Sequence, residues 1–408
     1  MPTSADYLAE VERYSAHNYH PLPVVLERGE GVYVWDVDGR RYMDMLSAYS
    51  ALNQGHRHPH IMKALAEQAG KLTLTSRAFH NDRMGPFLHK LCELSGYDRA
   101  LPMNTGAEAV ETALKAVRKW GYKHKGVAPE KAEIVVFEGN FHGRTTTIVG
   151  FSSEELYRDG FGPFTPGFRL VKYGDLDAVR AVVNENTVGV LVEPIQGEAG
   201  VVVPPDGYLR GLADLCREQG ALLMADEIQT GLGRTGRLFA SDWEGVRPDV
   251  VIVGKALGGG VYPVSAVLAN EEVMEVFTPG THGSTFGGNP LGAAVGMASL
   301  DVIVDEKLPE RAAELGEWFM NELRSMSSPY VDHERGKGLL IGVVIRDDAG
   351  PARPFCVELW DRGILAKETH EQVVRFAPPL VIEKSQLEEV LPAIREVLTT
   401  QPAAAAAH

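Results

Sequence analysis

Up to about residue 290, two hydrophobic patterns alternate along the chain, and this alternation predicts the fold class. Runs of consecutive apolar residues, typical of strands buried on both faces, occur at residues 133–137, 188–192, 221–226 and 250–253. Apolar residues at helical spacing fill residues 61–70, 104–120 and 209–220. Buried strands that alternate with helices predict an α/β domain with a mostly parallel sheet.

The pattern at the amino terminus is different. Residues 1–30 mix aromatic residues with turn formers, which predicts an irregular arm. Residues 31–42 predict a hairpin that turns at Asp38 and Gly39.

The pattern changes again after residue 290. Long amphipathic helices predicted at 309–326 and 383–399 flank short strands predicted at 338–345 and 373–376, which indicates a smaller α+β domain. We therefore expect four parts: an arm and hairpin joining the small domain (1–58), a large domain (59–296), a small domain (297–400) and a disordered tail (401–408).

Composition narrows the class of protein. The 408 residues are 44% hydrophobic and 23% charged, enough for a sizeable core. A net charge of −15 argues against binding to nucleic acid or to anionic membranes. Cys92, Cys216 and Cys356 lie far apart in helical patterns, which predicts free buried thiols in a reducing compartment. No apolar run approaches a membrane span and the first residues lack targeting features, so we expect a cytoplasmic protein.

Ionisable residues at predicted strand ends suggest chemistry. Lys255 follows the strand at 250–253, where burial would favour a neutral, nucleophilic amine. Asp226 ends another strand, so an amine and a carboxylate can face one ligand at the same sheet edge. Each residue alone is more often an ordinary surface or capping group.

A predicted helix start offers an anion site. Thr105 and Glu108 form a capping box, and Gly106 allows close approach to the backbone N–H groups of the first turn. A plain helix cap is the more frequent meaning of such a start.

Two arginines, Arg144 and Arg375, are natural partners of carboxylates. Arg375 lies within an apolar strand pattern, so it requires a partner unless the strand is an edge strand with the guanidinium in water. Glu198 is a candidate partner.

Two further motifs are weak. His56, His58 and His60 alternate like metal ligands, but Pro59 interrupts the strand and no cysteine or carboxylate joins them, so we predict no metal site. Residues 231–236 match G-x-G-x-x-G, yet no convincing helix follows, which disfavours a dinucleotide site.

Taken together, these stretches resemble the class III, pyridoxal-phosphate-dependent aminotransferases of fold type I, over about residues 14–398. Asp-Glu-Ile-Gln-Thr-Gly at 226–231 with Gly-Lys-Ala-Leu at 254–257 marks the class as a whole. His-Asn-Tyr-His-Pro at 17–21 and Arg-Phe-Ala-Pro-Pro at 375–379 resemble its ornithine-using members. The other supporting stretches are 53–56, 104–109, 139–145, 192–200 and 283–290.

The resemblance implies a site for pyridoxal 5'-phosphate in a homodimer. Lys255 would hold the cofactor covalently and Asp226 would pair with its ring nitrogen, as the two catalytic residues. The implied cofactor-binding residues are Gly106, Ala107, Phe141, His142 (where some members have Trp), Asp226, Ile228, Gln229, Lys255 and, from the partner subunit, Thr285. The implied substrate-binding residues are Tyr19, Tyr49, Arg144, Glu198 and Arg375.

The implied activity is transfer of the δ-amino group of L-ornithine to 2-oxoglutarate by a ping-pong mechanism, giving glutamate-5-semialdehyde and glutamate. Glu198 would mask Arg375 while ornithine is bound. Two alternatives stay open. One is another class III enzyme that uses N-acetylornithine, 4-aminobutyrate or a related ω-amine. The other, more remote, is a non-catalytic or nucleotide-binding α/β protein.

Overall fold

The computed structural model describes residues 2–400, so the predicted tail at 401–408 lies outside the described residues. The strands β1 to β15 are, in chain order, Leu26–Glu30, Tyr33–Asp36, Arg41–Asp44, Arg99–Met103, Glu133–Phe137, Phe168–Val171, Thr187–Val192, Leu222–Asp226, Val250–Val253, Ser265–Ala269, Val331–Lys337, Leu340–Ile345, Ile364–Leu365, Lys367–Thr369 and Val373–Phe376.

The helices α1 to α14 are Ser4–Tyr14, Ser47–Ser50, Pro59–Ala69, Met84–Ser95, Gly106–Trp120, Thr146–Gly150, Glu155–Arg158, Leu176–Val182, Tyr208–Gln219, Glu271–Met274, Pro290–Asp305, Leu308–Ser325, Arg353–Asp361 and Lys384–Thr399. Of these, α2 is a single turn with left-handed backbone angles. Short 3-10 turns at Ala240–Glu244 and Lys255–Gly258 follow β8 and β9, respectively.

The large sheet has seven strands in the order β4-β10-β9-β8-β7-β5-β6. Only β10 runs antiparallel to its neighbours within this sheet, so the predicted mostly parallel sheet is confirmed. Because β10 separates β4 from β9, β4 again points the same way as the parallel strands. The carboxyl ends of β4, β5, β7, β8 and β9 therefore share one edge of the sheet.

Helix α5 packs on this sheet with the apolar face predicted from its spacing. Val110, Ala113, Leu114, Val117 and Trp120 are all buried. The predicted capping box is present, since Thr105 Oγ1 accepts from Glu108 N and the Glu108 carboxylate accepts from Thr105 N. The helix thus begins at the sheet edge where the parallel strands end.

Two smaller sheets have the orders β1-β2-β3-β13 and β11-β12-β15-β14. Strand β13 pairs in parallel with β3, so the amino-terminal hairpin is hydrogen-bonded to a carboxyl-terminal element. The division into domains at 58 and 296 stays a prediction, and α11 runs as one helix across residue 296.

The prediction of an irregular arm over residues 1–30 is wrong. Helix α1 has a full capping box between Thr3 and Asp6, and β1 extends the predicted hairpin by one strand. Helix α1 buries none of its residues, but Tyr7, Leu8, Val11 and Tyr14 follow helical spacing, so the helix was recognisable in the sequence. The hairpin itself is confirmed, with Gly39 in the turn at a φ of 86°.

The cysteines are free, as predicted, although only Cys216 and Cys356 are buried and Cys92 is partly exposed. Within residues 2–400 no helix is both long and apolar enough to cross a membrane.

The three alternating histidines each face a different carboxylate rather than a common centre. His56 contacts Asp44 at 2.8 Å, and His58 and His60 contact Glu306 and Asp301 at 2.9 and 3.2 Å. The described part of the chain contains no group of three or more residues arranged to hold a metal ion.

Candidate active site

A cavity of about 210 Å³ lies at the edge where the parallel strands end. It is lined by Gly106, Ala107, Phe141, His142, Gly143, Glu193, Ile195, Glu198, Asp226, Ile228, Gln229, Thr230 and Lys255. Every residue of the predicted cofactor set except Thr285 is therefore brought together here. The residues come from loops after five different strands, which is why they are far apart in sequence and close in space.

Lys255 immediately follows β9 and Gly254. Its φ of 43° lies in the left-handed region that residues other than glycine rarely adopt, so its backbone is held in a strained conformation. Burial lowers the pKa of its amine, against the opposing attraction of Glu198 and Asp226. A lysine amine with a lowered pKa is a better nucleophile near neutral pH.

Asp226 ends β8 and is held by two hydrogen bonds. Its Oδ2 accepts from His142 Nδ1 at 2.7 Å, and its Oδ1 accepts from the backbone N–H of Ile228 at 3.1 Å. Burial works against protonation of His142, but the Asp226 carboxylate outweighs it and raises the pKa of the imidazole. The pair presents a fixed carboxylate to the cavity.

Glu193 follows β7 and lies beside this pair. Burial, reinforced by Asp226, raises the pKa of Glu193 to about 8, so its carboxyl group is protonated at neutral pH. Its Oε2 accepts from the backbone N–H of Phe141 at 3.0 Å, which fixes the loop that carries Phe141 and His142.

Gln229 connects the cofactor side of the cavity to its substrate side. Its Nε2 donates to Glu198 Oε1 at 3.1 Å and to the backbone oxygen of Tyr49 at 3.4 Å. Its Oε1 is buried without a hydrogen-bond partner among the described residues. A Cβ on Gly197 would lie 1.4 Å from that oxygen, so only glycine at position 197 leaves room for this side chain.

Glu198 pairs with Arg375, the partner that the sequence required. Arg375 is 1% exposed in β15 and donates from its NH1 to Glu198 Oε1 at 2.8 Å. Burial opposes ionisation of Glu198, but Arg375 and Lys255 outweigh it and lower the pKa of Glu198 to about 2. Glu198 is therefore ionised throughout the neutral range.

The remaining predicted substrate residues lie outside the first cavity. Tyr19 and Tyr49 line a neighbouring, mostly apolar cavity of about 520 Å³, and the Tyr49 ring lies 5.1 Å from the Arg375 guanidinium carbon. Arg144 is exposed and stacks 3.9 Å from the ring of Tyr157. Thr285 is exposed on the segment between β10 and α11.

Comparison with known proteins identifies the family. The profile of the family described as Aminotransferase class-III matches residues 14–398. The chain belongs to this family. Ornithine aminotransferase 2 of Staphylococcus aureus is 58% identical over 397 residues, which cover 97% of this chain and 100% of that protein.

Two solved structures show the same fold over the whole chain. Ornithine aminotransferase from Toxoplasma gondii, whose structure has partial occupancy of PLP at its active site, has a TM-score of 0.96 and 46% identity over 97% of this chain and 94% of that one. Acetylornithine aminotransferase from Elizabethkingia anophelis has a TM-score of 0.89 and 49% identity over 98% and 99% of the two chains. These neighbours confirm the predicted fold type I.

The cavity of this class-III aminotransferase fits pyridoxal 5'-phosphate. Lys255 supplies the amine for an aldehyde, and Asp226 supplies a buried anion for a ring nitrogen. The first turn of α5 supplies N–H groups for a phosphate, and a Cβ on Gly106 would lie 3.0 Å from Ile228 Cδ1, so a larger residue would crowd this cradle. Gln229, whose Oε1 has no hydrogen-bond partner among the described residues, also lines this cavity.

Sequence reasoning did not assign two residues that the structure places at the site, Glu193 and Tyr157. Glu193 directly follows a predicted buried strand, and the strand-end argument applied to Lys255 and Asp226 would have identified it. Tyr157 contacts both Arg144 and Phe141 but lies in the four-residue helix α7, which is too short for a periodic pattern to mark it.

Replacing Glu193 with glutamine tests its buried protonated state. The folded protein holds a proton on Glu193 up to pH about 8, whereas an unfolded glutamate releases it above about 4.3. Wild-type stability should therefore fall, relative to Glu193→Gln, as the pH rises through this window, by up to about 1.4 kcal/mol per pH unit. Urea unfolding of the cofactor-free proteins between pH 5 and 8 measures the difference.

The exposed Glu185, at the opposite end of β7, provides the control for this experiment. Glu185→Gln should parallel the wild type at every pH. If Glu193→Gln also does so, Glu193 is ionised in the folded protein and the assignment is wrong.

Proposed function

We propose that this enzyme transfers the δ-amino group of L-ornithine to 2-oxoglutarate, with pyridoxal 5'-phosphate as cofactor, and releases glutamate-5-semialdehyde and glutamate in two half-reactions. The observation that carries the proposal is the Glu198–Arg375 ion pair beside Lys255. Ornithine reacts at an end without a carboxylate, and 2-oxoglutarate reacts beside one, so the site needs a positive charge that can be both hidden and exposed. The ornithine aminotransferase of Staphylococcus aureus supports the same donor.

Each residue at the cofactor side has a defined task. The bound cofactor supplies an electron sink that stabilises negative charge at the reacting carbon. Lys255 Nζ carries a proton away from the substrate carbon and delivers it, acting first as base and then as acid. Asp226, held by His142, supplies a negative charge that favours a protonated ring nitrogen. Gly106 and Ala107 hold the phosphate at the start of α5.

The substrate side discriminates between the two half-reactions. With ornithine bound, Glu198 keeps Arg375 paired, and Tyr19, Tyr49 and Arg144 bind the α-amino acid end of the donor. With 2-oxoglutarate bound, the α-carboxylate takes the place of Glu198 at Arg375. Gln229 donates to Glu198, so it offers an alternative partner when that carboxylate leaves Arg375.

A second candidate is N-acetylornithine as the amino donor. The acetylornithine aminotransferase of Elizabethkingia anophelis is 49% identical to this chain, so overall similarity does not by itself distinguish the two donors. The cofactor-side residues serve both reactions alike. The choice therefore depends on residues that contact the far end of the donor.

Purified enzyme loaded with cofactor should use ornithine with a kcat/KM at least about tenfold above that for N-acetylornithine or 4-aminobutyrate, as expected when a site binds the donor's charged end. Product formation with 2-oxoglutarate as acceptor gives this comparison. Lys255→Ala should be inactive with every donor, because the proton carrier is lost. A preference for N-acetylornithine would replace the first proposal with the second.

Glu198→Ala tests the masking of Arg375. Without Glu198, Arg375 is free to bind the α-carboxylate of ornithine, which brings the α-amino group to the reacting position. The fraction of ornithine that reacts through its α-amino group should rise about tenfold or more. Separation of the two oxo products by mass spectrometry measures this ratio. Glu185→Ala should leave it unchanged, and unchanged regiochemistry in Glu198→Ala would contradict the masking role.

A homodimer with Thr285 acting across the interface is part of the proposal. Thr285 is exposed and does not line the cavity of its own subunit, as expected of a residue that serves the partner. Asn104 Nδ2 donates to the neighbouring Ser284 Oγ at 3.1 Å, so the segment is anchored close to the start of α5. We also propose a cytoplasmic location, supported by the three free cysteines.

Mixed dimers of Lys255→Ala and Thr285→Ala subunits test this arrangement. If Thr285 serves the partner's site, one site of the mixed dimer combines an intact Lys255 with an intact Thr285 and is fully native. At limiting cofactor, the mixed dimer should then show about half of the wild-type activity, since one of its two sites is native. Activity no higher than the mean of the two homodimers would place Thr285 in its own subunit's site.

A further inference from the structure

The G-x-G-x-x-G segment at residues 231–236 does not form a nucleotide loop. All of its residues are buried, and the next helical segment is the five-residue 3-10 turn Ala240–Glu244. A phosphate-binding loop must present its backbone to a ligand and open a longer helix. The segment does, however, carry a buried arginine, Arg234, whose contacts suggest a structural role.

The Arg234 side chain is 0% exposed and joins three separate parts of the chain. From NH1 it donates to the backbone oxygens of Leu339 and Pro378, at 2.9 and 2.7 Å. From NH2 it donates to Ser47 Oγ at 3.0 Å and to Asn53 Oδ1 at 2.6 Å. Both terminal nitrogens of the planar guanidinium thus hold two acceptors each, a geometry that lysine cannot reproduce.

These four partners are neutral, and Arg234 forms no ion pair with the described residues. Burial lowers the pKa of Arg234, and the nearby Arg375 adds to the effect while Asp44 opposes it. A buried cation with neutral partners only is a costly group to keep for stability alone. Arg234 lies between the two elements that carry the proposed substrate residues Tyr49 and Arg375. This position suggests that it holds those elements in place.

The first of these elements is the turn Ser47–Ser50. All four of its residues have positive φ angles, 47°, 47°, 59° and 69°, which L-residues adopt only when surrounding contacts impose them. Arg234 and Asp44 impose them at Ser47, since Asp44 Oδ1 accepts from the Ser47 backbone N–H at 2.8 Å. The turn carries Tyr49 to a position beneath Arg375.

The second element is the end of β15, which carries Arg375. Arg234 holds Pro378, three residues beyond Arg375, and Ser47 Oγ donates to the Ala377 oxygen at 2.6 Å. The same guanidinium therefore fixes the strained turn and the strand end relative to each other.

We propose that Arg234 is a positioning residue for substrate recognition. Its hydrogen bonds to the segments that carry Tyr49 and Arg375 set the distance between these two residues. This inference rests on the proposed function for the identity of the substrates. Arg234 lines neither the cofactor cavity nor the cavity lined by Tyr19 and Tyr49, so its loss should weaken binding of both substrates and spare the chemistry at Lys255.

Arg234→Lys keeps the charge and loses the paired hydrogen bonds. The KM values for ornithine and for 2-oxoglutarate should rise about tenfold, with kcat within about threefold of the wild type, because binding common to ground and transition states is lost. Cofactor content, read from the visible absorption of the purified protein, should stay at the wild-type level. Arg237→Lys, three residues along in an exposed position over Trp243, is the matched control and should leave all values unchanged.

Hydrogen exchange supplies a readout that needs no substrate. Amides of residues 44–53 should exchange faster in cofactor-free Arg234→Lys than in wild type or Arg237→Lys, while those of α5 should not change. If wild type fails to use ornithine, the proposed function falls, whereas the exchange result still decides the role of Arg234. Wild-type KM values together with unchanged exchange at 44–53 would overturn this role.

Ser47→Ala tests the same role of Arg234 independently, including the case in which Arg234→Lys does not fold. This substitution removes two hydrogen bonds, the one that Arg234 NH2 donates to Ser47 Oγ and the one that Ser47 Oγ donates to the Ala377 backbone oxygen. Raised KM values with normal cofactor content support the positioning role, and wild-type KM values overturn it.

Discussion

The parallel sheet imposes one constraint on everything else in this protein: five strand ends, and the polar groups that follow them, must share one largely buried space. Charges gathered there cannot all be ionised without partners. The structure resolves this by pairing: His142 with Asp226, and Arg375 with Glu198. Glu193 forms no ion pair with the described residues, and burial outweighs the nearby His142 imidazole, so it keeps its proton instead. The lowered pKa of Lys255 follows from the same shortage of solvent.

The paired groups differ in how firmly they are held, and this difference matches their tasks. Each oxygen of Asp226 has its own donor, the buried His142 imidazole for Oδ2 and the Ile228 backbone N–H for Oδ1. A single oxygen of Glu198, Oε1, accepts hydrogen bonds from both Arg375 and Gln229. Either donor is therefore able to bind Glu198 when the hydrogen bond to the other is broken. A fixed carboxylate suits the ring of a permanent cofactor. An exchangeable one suits a site that receives two substrates with unlike charges.

Features set by local sequence were predictable, and features set by distant contacts were not. Residues adjacent in the sequence are enough to predict three features: the capping box of Thr105, the strand before Lys255 and the need of Arg375 for a partner. Helix α1 was predictable in the same way, from the helical spacing of Tyr7, Leu8, Val11 and Tyr14, and the interpretation of residues 1–30 as one irregular arm overlooked it. The role of Arg234 could not be predicted, because its four acceptors lie in segments that come together only in the folded chain.

The same distinction separates the residues of the chemistry from those of substrate choice. Lys255, Asp226 and Gln229 line the cavity that fits the cofactor, and the proposed chemistry needs them in the same places whichever amino donor is used. Tyr49 contacts Arg375 rather than the cofactor cavity, and its position depends on a left-handed turn held by side chains from other segments. A change anywhere in that support moves the ring without altering a recognisable motif. If Tyr49 binds the donor as proposed, donor choice in this protein depends on these supporting contacts as well as on the residues that touch the substrate.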